Sequence, residues 1–227
     1  MTQHRGAVLF DIDGTLVDSN YLHVVAWMGA FGAVGHPVDA AAIHRAIGMG
    51  SSQLLERLLG PDVAAEVGDA AKEEHTTHYR ETFGLLRRFD RSQELLRAVA
   101  ARATVVLATS ASSAELDELR STIDADDAIG DITSAADVEA AKPEPDVVRV
   151  ALERAGVGAG RAVFVGDTVW DVEAAGRAGI ACVGVLSGGI SRDELSEAGA
   201  VAVYRDVADL LDNLETSPLH AVLKLAG

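Results

Sequence analysis

A chain of 227 residues can hold one α/β domain and a smaller insertion with ample core. A formal net charge of −16 disfavours nucleic acid and anionic membrane surfaces, since both demand a basic footprint. The single cysteine, Cys182, excludes an intramolecular disulfide, no run spans a bilayer and no signal-peptide apolar region precedes the first motif, so a cytoplasmic protein is expected.

The first element is Ala7-Val8-Leu9-Phe10, four apolar residues in a row that read as a central parallel strand buried on both faces. It runs into Asp11 and Asp13, one residue apart, before Gly14. Burying an unpaired charge is costly, so a strand end has no structural use for this pair. Ligands of open α/β sheets sit in the crevice beyond the strand ends, and the stretch asks for a cation and a reacting group there. From Asp18 to about Phe89 the pattern turns helical. Tyr21, Val24, Val25, Met28 and Phe31 recur at helix spacing, and Gly35-His36-Pro37 closes that segment. A short helix over Ala41 to Ile47 ends at Gly48-Met49-Gly50; Ser51 is placed to cap the next, which carries Leu54, Leu55, Leu58 and Leu59. A longer helix runs from about Asp62 to Phe83, where His75 and His78 are expected to be solvated. So many helices between one strand and the next exceed a crossover connection and read as a separate cap.

Ser92 to Arg102 is an amphipathic helix, and Thr104 to Ala108 a second buried strand that ends in the hydroxyl-rich Thr109-Ser110-Ala111-Ser112-Ser113. Such a cluster either caps the helix carrying Leu116 and Leu119 or, with its backbone amides, holds a phosphate. Ile132 to Ser134 is a short strand; Lys142-Pro143-Glu144-Pro145-Asp146 then fixes the backbone around a lysine and opens a helix through Val147, Val148, Ala151 and Leu152. Another buried strand, Ala162 to Val165, ends in Gly166-Asp167-Thr168-Val169-Trp170-Asp171. Asp171 alone could offset a helix dipole, but Asp167 and Asp171 together on a glycine turn point to a site. Cys182 reads as a packing residue, and Trp170 as packing or as a lip of the crevice. Ile180 to Val185 is a strand, Ser191 to Glu194 a capping box, Ala200 to Tyr204 a last strand and Val207 to Leu214 a last helix; the tail from Ser217 either docks or frays.

The stretch Asp11-Ile12-Asp13-Gly14-Thr15-Leu16-Val17-Asp18-Ser19 resembles the first motif of the haloacid dehalogenase-like (HAD) hydrolase superfamily. Its helical-cap phosphatase branch, with the phosphoglycolate phosphatase and beta-phosphoglucomutase relatives, is the most similar. Thr109 matches the second motif, Lys142-Pro143 the third, and Gly166-Asp167 with Asp171 the fourth, in family order and each at a strand's carboxyl end or in the loop after it. The resemblance implies an α/β fold: a Rossmann-like parallel sheet core formed by residues 1–17 and 90–227, with an inserted α-helical cap domain at 18–89, hinged near Val17-Asp18 and Phe89-Asp90.

Physically, several carboxylates in one crevice lose their charge unless a cation is present; Lys142 offsets one and a hard divalent ion suits the rest. The resemblance implies Mg²⁺ held by the Asp11 carboxylate, the Asp13 carbonyl and the Asp167 carboxylate, with Asp171 orienting a metal-bound water from behind. It implies Asp11 as nucleophile, Asp13 as acid and base, and Thr109, Ser110 and Lys142 as stabilisers of the transferring oxygens. In several relatives a histidine at the place of His23 faces the catalytic aspartate, which makes His23 a candidate substrate contact; a satisfied surface histidine is the plainer alternative. The Gly48–Ser51 loop is a second candidate for reading the substrate. The expected partner is a small-molecule phosphate ester, and the expected assembly a monomer or homodimer.

Other reaction classes fit less well. A metal-independent dehalogenase has no need of Asp13. A phosphonate hydrolase needs a cap lysine, where only Lys72 is present, and a mutase places an arginine near Ser51. A non-catalytic binding protein would have lost one of Asp11, Asp13, Lys142 or Asp167. Ser110 in place of asparagine and Phe89-Asp90-Arg91 in place of a Pro-Gly turn depart from the nearest phosphatases and leave the substrate open.

Overall fold

The computed structural model describes residues 6–134, 137 and 141–226. It divides into two compact units, Met1–Asp18 with Arg87–Gly227, and Ser19–Leu86.

The first unit is a Rossmann-like α/β layer structure. Strands β1 (Ala7–Phe10), β4 (Thr104–Ala108), β5 (Asp131–Thr133), β6 (Ala162–Gly166), β7 (Ala181–Val185) and β8 (Ala202–Tyr204) form one sheet in the order β5-β4-β1-β6-β7-β8. All its pairings are parallel. β1 is buried at every position between two neighbours, which is why it is an unbroken apolar run. The winding goes outward from β1 through β4 to β5, then returns to β6 on the other side of β1. That reversal opens the crevice beyond the carboxyl ends of β1 and β6. Helices α5 (Ser92–Ala100), α6 (Ser113–Ile123), α7 (Asp146–Ala155), α8 (Val169–Arg177) and α9 (Arg192–Glu197) connect the strands, and α10 (Val207–Asp212) follows β8. One main core cluster joins Leu9, Val106 and Phe164 of the sheet to Val148, Leu152 and Ala175 of the helices.

One feature of this unit is absent from the sequence reading, and one outcome left open there is decided. A two-stranded antiparallel pair, β2 (Val17–Asp18) with β3 (Arg87–Arg88), has no apolar alternation to announce it. The tail docks: α11 (Leu219–Leu223) buries Leu219, Val222 and Leu223. Its close approach needs Gly6, where a Cβ would lie 2.6 Å from the Val222 carbonyl oxygen.

The second unit packs α1 (Asn20–Ala33), α2 (Ala40–His44), α3 (Ser51–Leu59) and α4 (Pro61–Glu81) around Trp27, Phe31, Ile43, Leu54 and Leu55. Its buried stripe on α1 runs through Val24, Trp27, Ala30 and Phe31, whereas Tyr21, Val25 and Met28 are exposed. Five apolar residues at helix spacing thus overstate the buried face, because the stripe is set by where α4 approaches. Gly29 permits that approach, since a Cβ there would stand 2.8 Å from the His78 ring. Ser51 is not the cap of α3; Gly50 holds that position and Ser51 is the first helical residue. His75 is buried rather than solvated, stacked on Trp27 with ring centroids 4.3 Å apart. Among the described residues no helix is long and apolar enough to cross a membrane.

Candidate active site

The site begins where β1 stops. The Asp11 amide donates to the Val165 carbonyl at 2.9 Å, extending the β1–β6 ladder by one residue and fixing the Asp11 backbone. The chain then turns sharply. The Ile12 carbonyl accepts from the amides of Leu16 at 2.8 Å and Val17 at 3.0 Å, and Gly14 adopts φ 74°, a conformation that favours glycine. The turn is tied outward by Thr15, whose hydroxyl donates to Asp167 Oδ1 at 3.0 Å from beyond β6.

Lys142 is fully buried and reaches this place from the loop before α7, its peptide bond to Pro143 cis. Its Nζ lies 2.6 Å from Asp11 Oδ1 and 2.7 Å from Asp171 Oδ1, and 5.3 Å from the centroid of the Phe164 ring. Asp171 Oδ2 accepts from the Thr168 amide at 3.0 Å and hydroxyl at 2.7 Å, which closes the capping box of α8. Both Asp171 oxygens are therefore engaged by the protein, and the residue is the second counter-ion of Lys142. Gly166 makes room for it: a Cβ there would stand 2.5 Å from Asp171 Cβ.

The electrostatics follow from burial. Asp11, Asp167 and Asp171 are all buried and bring one carboxylate oxygen each within 4.8 Å of one another. Three carboxylates against one ammonium leave a formal charge of −2 in a dry crevice, before the half-buried Asp13 is counted. Burial, with Asp171 and Asp13 nearby, pushes the Asp11 carboxyl up to about 7 in spite of Lys142. Burial pulls the Lys142 ammonium down, but Asp11 and Asp171 overcome it and hold the group above its ordinary range. An all-oxygen donor set with two surplus negative charges suits a hard divalent cation such as Mg²⁺.

Thr109 ends β4, the other neighbour of β1, and is buried; its amide donates to Thr133 and its Oγ1 accepts from the Ala111 amide at 3.0 Å. Ser110 follows, and Ser112 stands at the N-cap of α6, with its amide and hydroxyl held by the Glu115 carboxylate. Asp11, Asp167, Asp171 and Lys142 thus converge, with Asp13, Thr109 and Ser110 on the adjoining strand ends. His23 belongs to the helical unit. Its Nδ1 is 3.2 Å from His75 Nε2 and its ring stacks on Tyr79 at 3.8 Å. Cys182 is a buried packing residue, as expected, and Trp170 is buried as well. Thr15 and Phe164 were not singled out by the sequence reading: Thr15 sits inside the first motif, but Phe164 looks like any other core residue of an apolar strand.

Comparison with known proteins agrees with this arrangement. The profile of a hydrolase family, haloacid dehalogenase-like hydrolase, matches residues 6–179. The chain is 31% identical over 223 residues to the phosphoglycolate phosphatase of Rhodospirillum rubrum, covering 91% of this chain and 89% of that protein. It is 30% identical over 205 residues to the phosphorylated carbohydrates phosphatase of Thermotoga maritima, covering 88% and 94%. Among solved structures, a hydrolase from Pseudomonas syringae superposes with a TM-score of 0.86 at 31% identity, covering 93% of this chain and 99% of that one.

Proposed function

Since the chain belongs to the haloacid dehalogenase-like hydrolase family, we propose that it is a Mg²⁺-dependent phosphatase that cleaves small phosphate monoesters through a phosphoryl group carried on Asp11. The observation that carries this reading is the Asp11 carboxylate, buried at a strand end, gripped on one oxygen by Lys142 at 2.6 Å and within shared-ion distance of Asp167. A carboxylate so held has one oxygen fixed and the other directed at an incoming electrophile.

Asp11 attacks phosphorus in line, the ester P–O bond breaks, and its electron pair leaves on the alcohol oxygen, which takes a proton from Asp13. A water then attacks the same phosphorus while Asp13 takes its proton back; the bond between Asp11 and phosphorus breaks, releasing orthophosphate and restoring both carboxyl groups. Lys142 balances Asp11 throughout, and Asp171 holds Lys142 in place. The Thr109 oxygen already accepts from the Ala111 amide, so its hydrogen is aimed away from that turn and serves a phosphate oxygen together with the Ser110 amide. Asp11, Asp167 and the Asp13 carbonyl are the ligand set for Mg²⁺, which supplies positive charge to the transferring phosphoryl oxygens.

Relatives named for phosphoglycolate and for phosphorylated carbohydrates support a small phosphorylated organic acid or sugar as substrate. The test is orthophosphate release from a panel of such esters and from p-nitrophenyl phosphate, with Mg²⁺ and with chelator. Activity is expected only with the metal, and Asp11→Asn is expected to abolish it while leaving the fold intact. Chelator-insensitive turnover, or an active Asp11→Asn protein, would sink the proposal.

A further inference from the structure

The loop after β7 belongs to no motif of the site, yet it touches the turn that carries Asp13. The Ser187 hydroxyl donates to the Gly14 carbonyl at 2.6 Å, across 173 residues of sequence. β7 is two strands from β1, with β6 between them, so this bond passes over the end of β6 beside Asp167. Ser187 is itself held. The Leu186 amide donates to the Tyr204 carbonyl at 3.1 Å and the Arg205 carbonyl at 3.2 Å, and the Gly189 amide closes the turn onto Leu186 at 3.0 Å. Gly189 takes φ 91°, which lets the loop bend there.

The other tether of the same turn is Thr15 to Asp167, one residue further along. Gly14 and Thr15 are thus pinned to two different strand ends, and Asp13 is the residue immediately before them. Gly14 is the most permissive backbone position in the turn. The turn is closed from within, the Gly14 amide donating to the Val17 carbonyl at 2.8 Å and the Thr15 amide to the Ile12 carbonyl at 3.2 Å. The Ser187 bond therefore sets where this turn, and Asp13 with it, sits against the end of β7. Each additional rigid partner therefore narrows the directions in which Asp13 can present its proton.

We infer that Ser187 is a positioning residue: by fixing the Gly14 carbonyl it aims Asp13 at the leaving-group oxygen. The inference rests on the phosphatase reading above and adds to it a residue outside the four motifs. It separates from a general loss of stability because leaving groups differ in their need for a proton. p-Nitrophenolate departs readily without one, whereas phenolate, almost the same size, depends on Asp13.

The test is kcat/KM for phenyl phosphate and for p-nitrophenyl phosphate, with Mg²⁺, in the wild type, Ser187→Ala and Ser187→Thr. In Ser187→Ala the phenyl phosphate value is expected to fall on the order of 10-fold relative to the p-nitrophenyl phosphate value. Ser187→Thr, which keeps the hydroxyl, is expected to recover most of the difference. Equal falls on both esters, or no fall on either, in an enzyme whose wild type is active would overturn the inference and leave the phosphatase reading standing. A wild type silent on both esters and on the metabolite panel would remove the phosphatase reading and this inference with it.

Discussion

Lys142 and Asp11 are separated by 131 residues, and their Nζ and Oδ1 atoms stand 2.6 Å apart with both side chains buried. Neither group is tolerable there alone. The ammonium has no water, and the carboxylate shares the crevice with Asp167 and Asp171. The pair makes each charge possible, and the third partner, Asp171 at 2.7 Å, keeps the lysine from swinging out of line. The same geometry that lets the fold bury these groups therefore also orients the nucleophile.

Replacing Lys142 by methionine, which keeps most of the volume, removes the cation that pairs with both Asp11 and Asp171. Breaking a buried pair from one side costs about 3–5 kcal/mol, because the partner charges stay behind. The loss is expected to be largest near pH 8 and smaller near pH 5, where the abandoned Asp11 carboxyl holds a proton. Turnover is expected to fall on the order of 10²–10³-fold or more. Urea denaturation at the two pH values checks the first expectation; equal losses at both would contradict it.

Gly166 offers a steric test of Asp171. A methyl group at Gly166 would sit 2.5 Å from both Cβ and Cγ of Asp171, and neither is the loose end of a flexible chain. Gly166→Ala is expected to push Asp171 off Lys142, to cost about 1–3 kcal/mol by overpacking, and to lower kcat more than KM. Gly176→Ala, on the same helix with nothing within 4 Å of its Cβ, is the control and is expected to stabilise by up to about 1 kcal/mol. Indistinguishable melting curves for the two variants would show that the β6–α8 turn absorbs the methyl group.

Much of this site was legible because its chemistry contradicts its surroundings. Asp11 and Asp167 end apolar strands where a carboxylate is otherwise costly, and Lys142 stands before two prolines. The sheet was legible for the complementary reason: a strand buried on both faces must be apolar throughout, as β1 and β6 are, and as β4 is after Thr104. What escaped notice are residues whose role depends on a partner far along the chain. His75 reads as a polar residue on a charged helix, yet it is buried because Trp27, Tyr79 and His23 stack around it. Ser187 reads as an ordinary turn serine, and only the position of Gly14 distinguishes it. The β2–β3 pair is two residues long on each side, too short for any alternation to register.

The raised Asp11 carboxyl gives the metal-free protein a defined pH response. Its folded value, about 7, lies above the ordinary carboxyl value of 3.8, so between those limits the folded state holds a proton that the unfolded chain has released. The stability associated with this group is fully present below pH 3.8 and is lost as pH rises through about 7. Lys142 does not offset this, because its own raised value confines its titration to alkaline pH. A divalent cation competes with that proton, so Mg²⁺ binding near pH 6 is expected to release protons and near pH 8.5 to release almost none. Calorimetric titration with Mg²⁺ in two buffers of different ionisation enthalpy reads the proton count. Equal heats in the two buffers at pH 6 would show that Asp11 is already ionised without metal.

The C-terminal helix links the tail to the strand that carries the nucleophile. Leu219, Val222 and Leu223 of α11 are buried, and Val222 sits against Gly6, the residue immediately before β1. Ending the chain after Ser217 exposes the surface these three side chains cover. At about 1.5–3 kcal/mol per fully buried aliphatic side chain, the three together amount to about 5–9 kcal/mol, an upper estimate because unfolded chains already bury part of that surface. β1 keeps its pairings with β4 and β6, so the crevice at its far end is expected to survive in the molecules that remain folded. The truncated protein should therefore unfold at much lower urea while the kcat of its folded fraction stays within about 2-fold of wild type. Leu223→Ala should reproduce part of the shift, about 2–3 kcal/mol. An unchanged urea midpoint in the truncated chain would mean that α11 adds no stability, despite its burial against the start of β1.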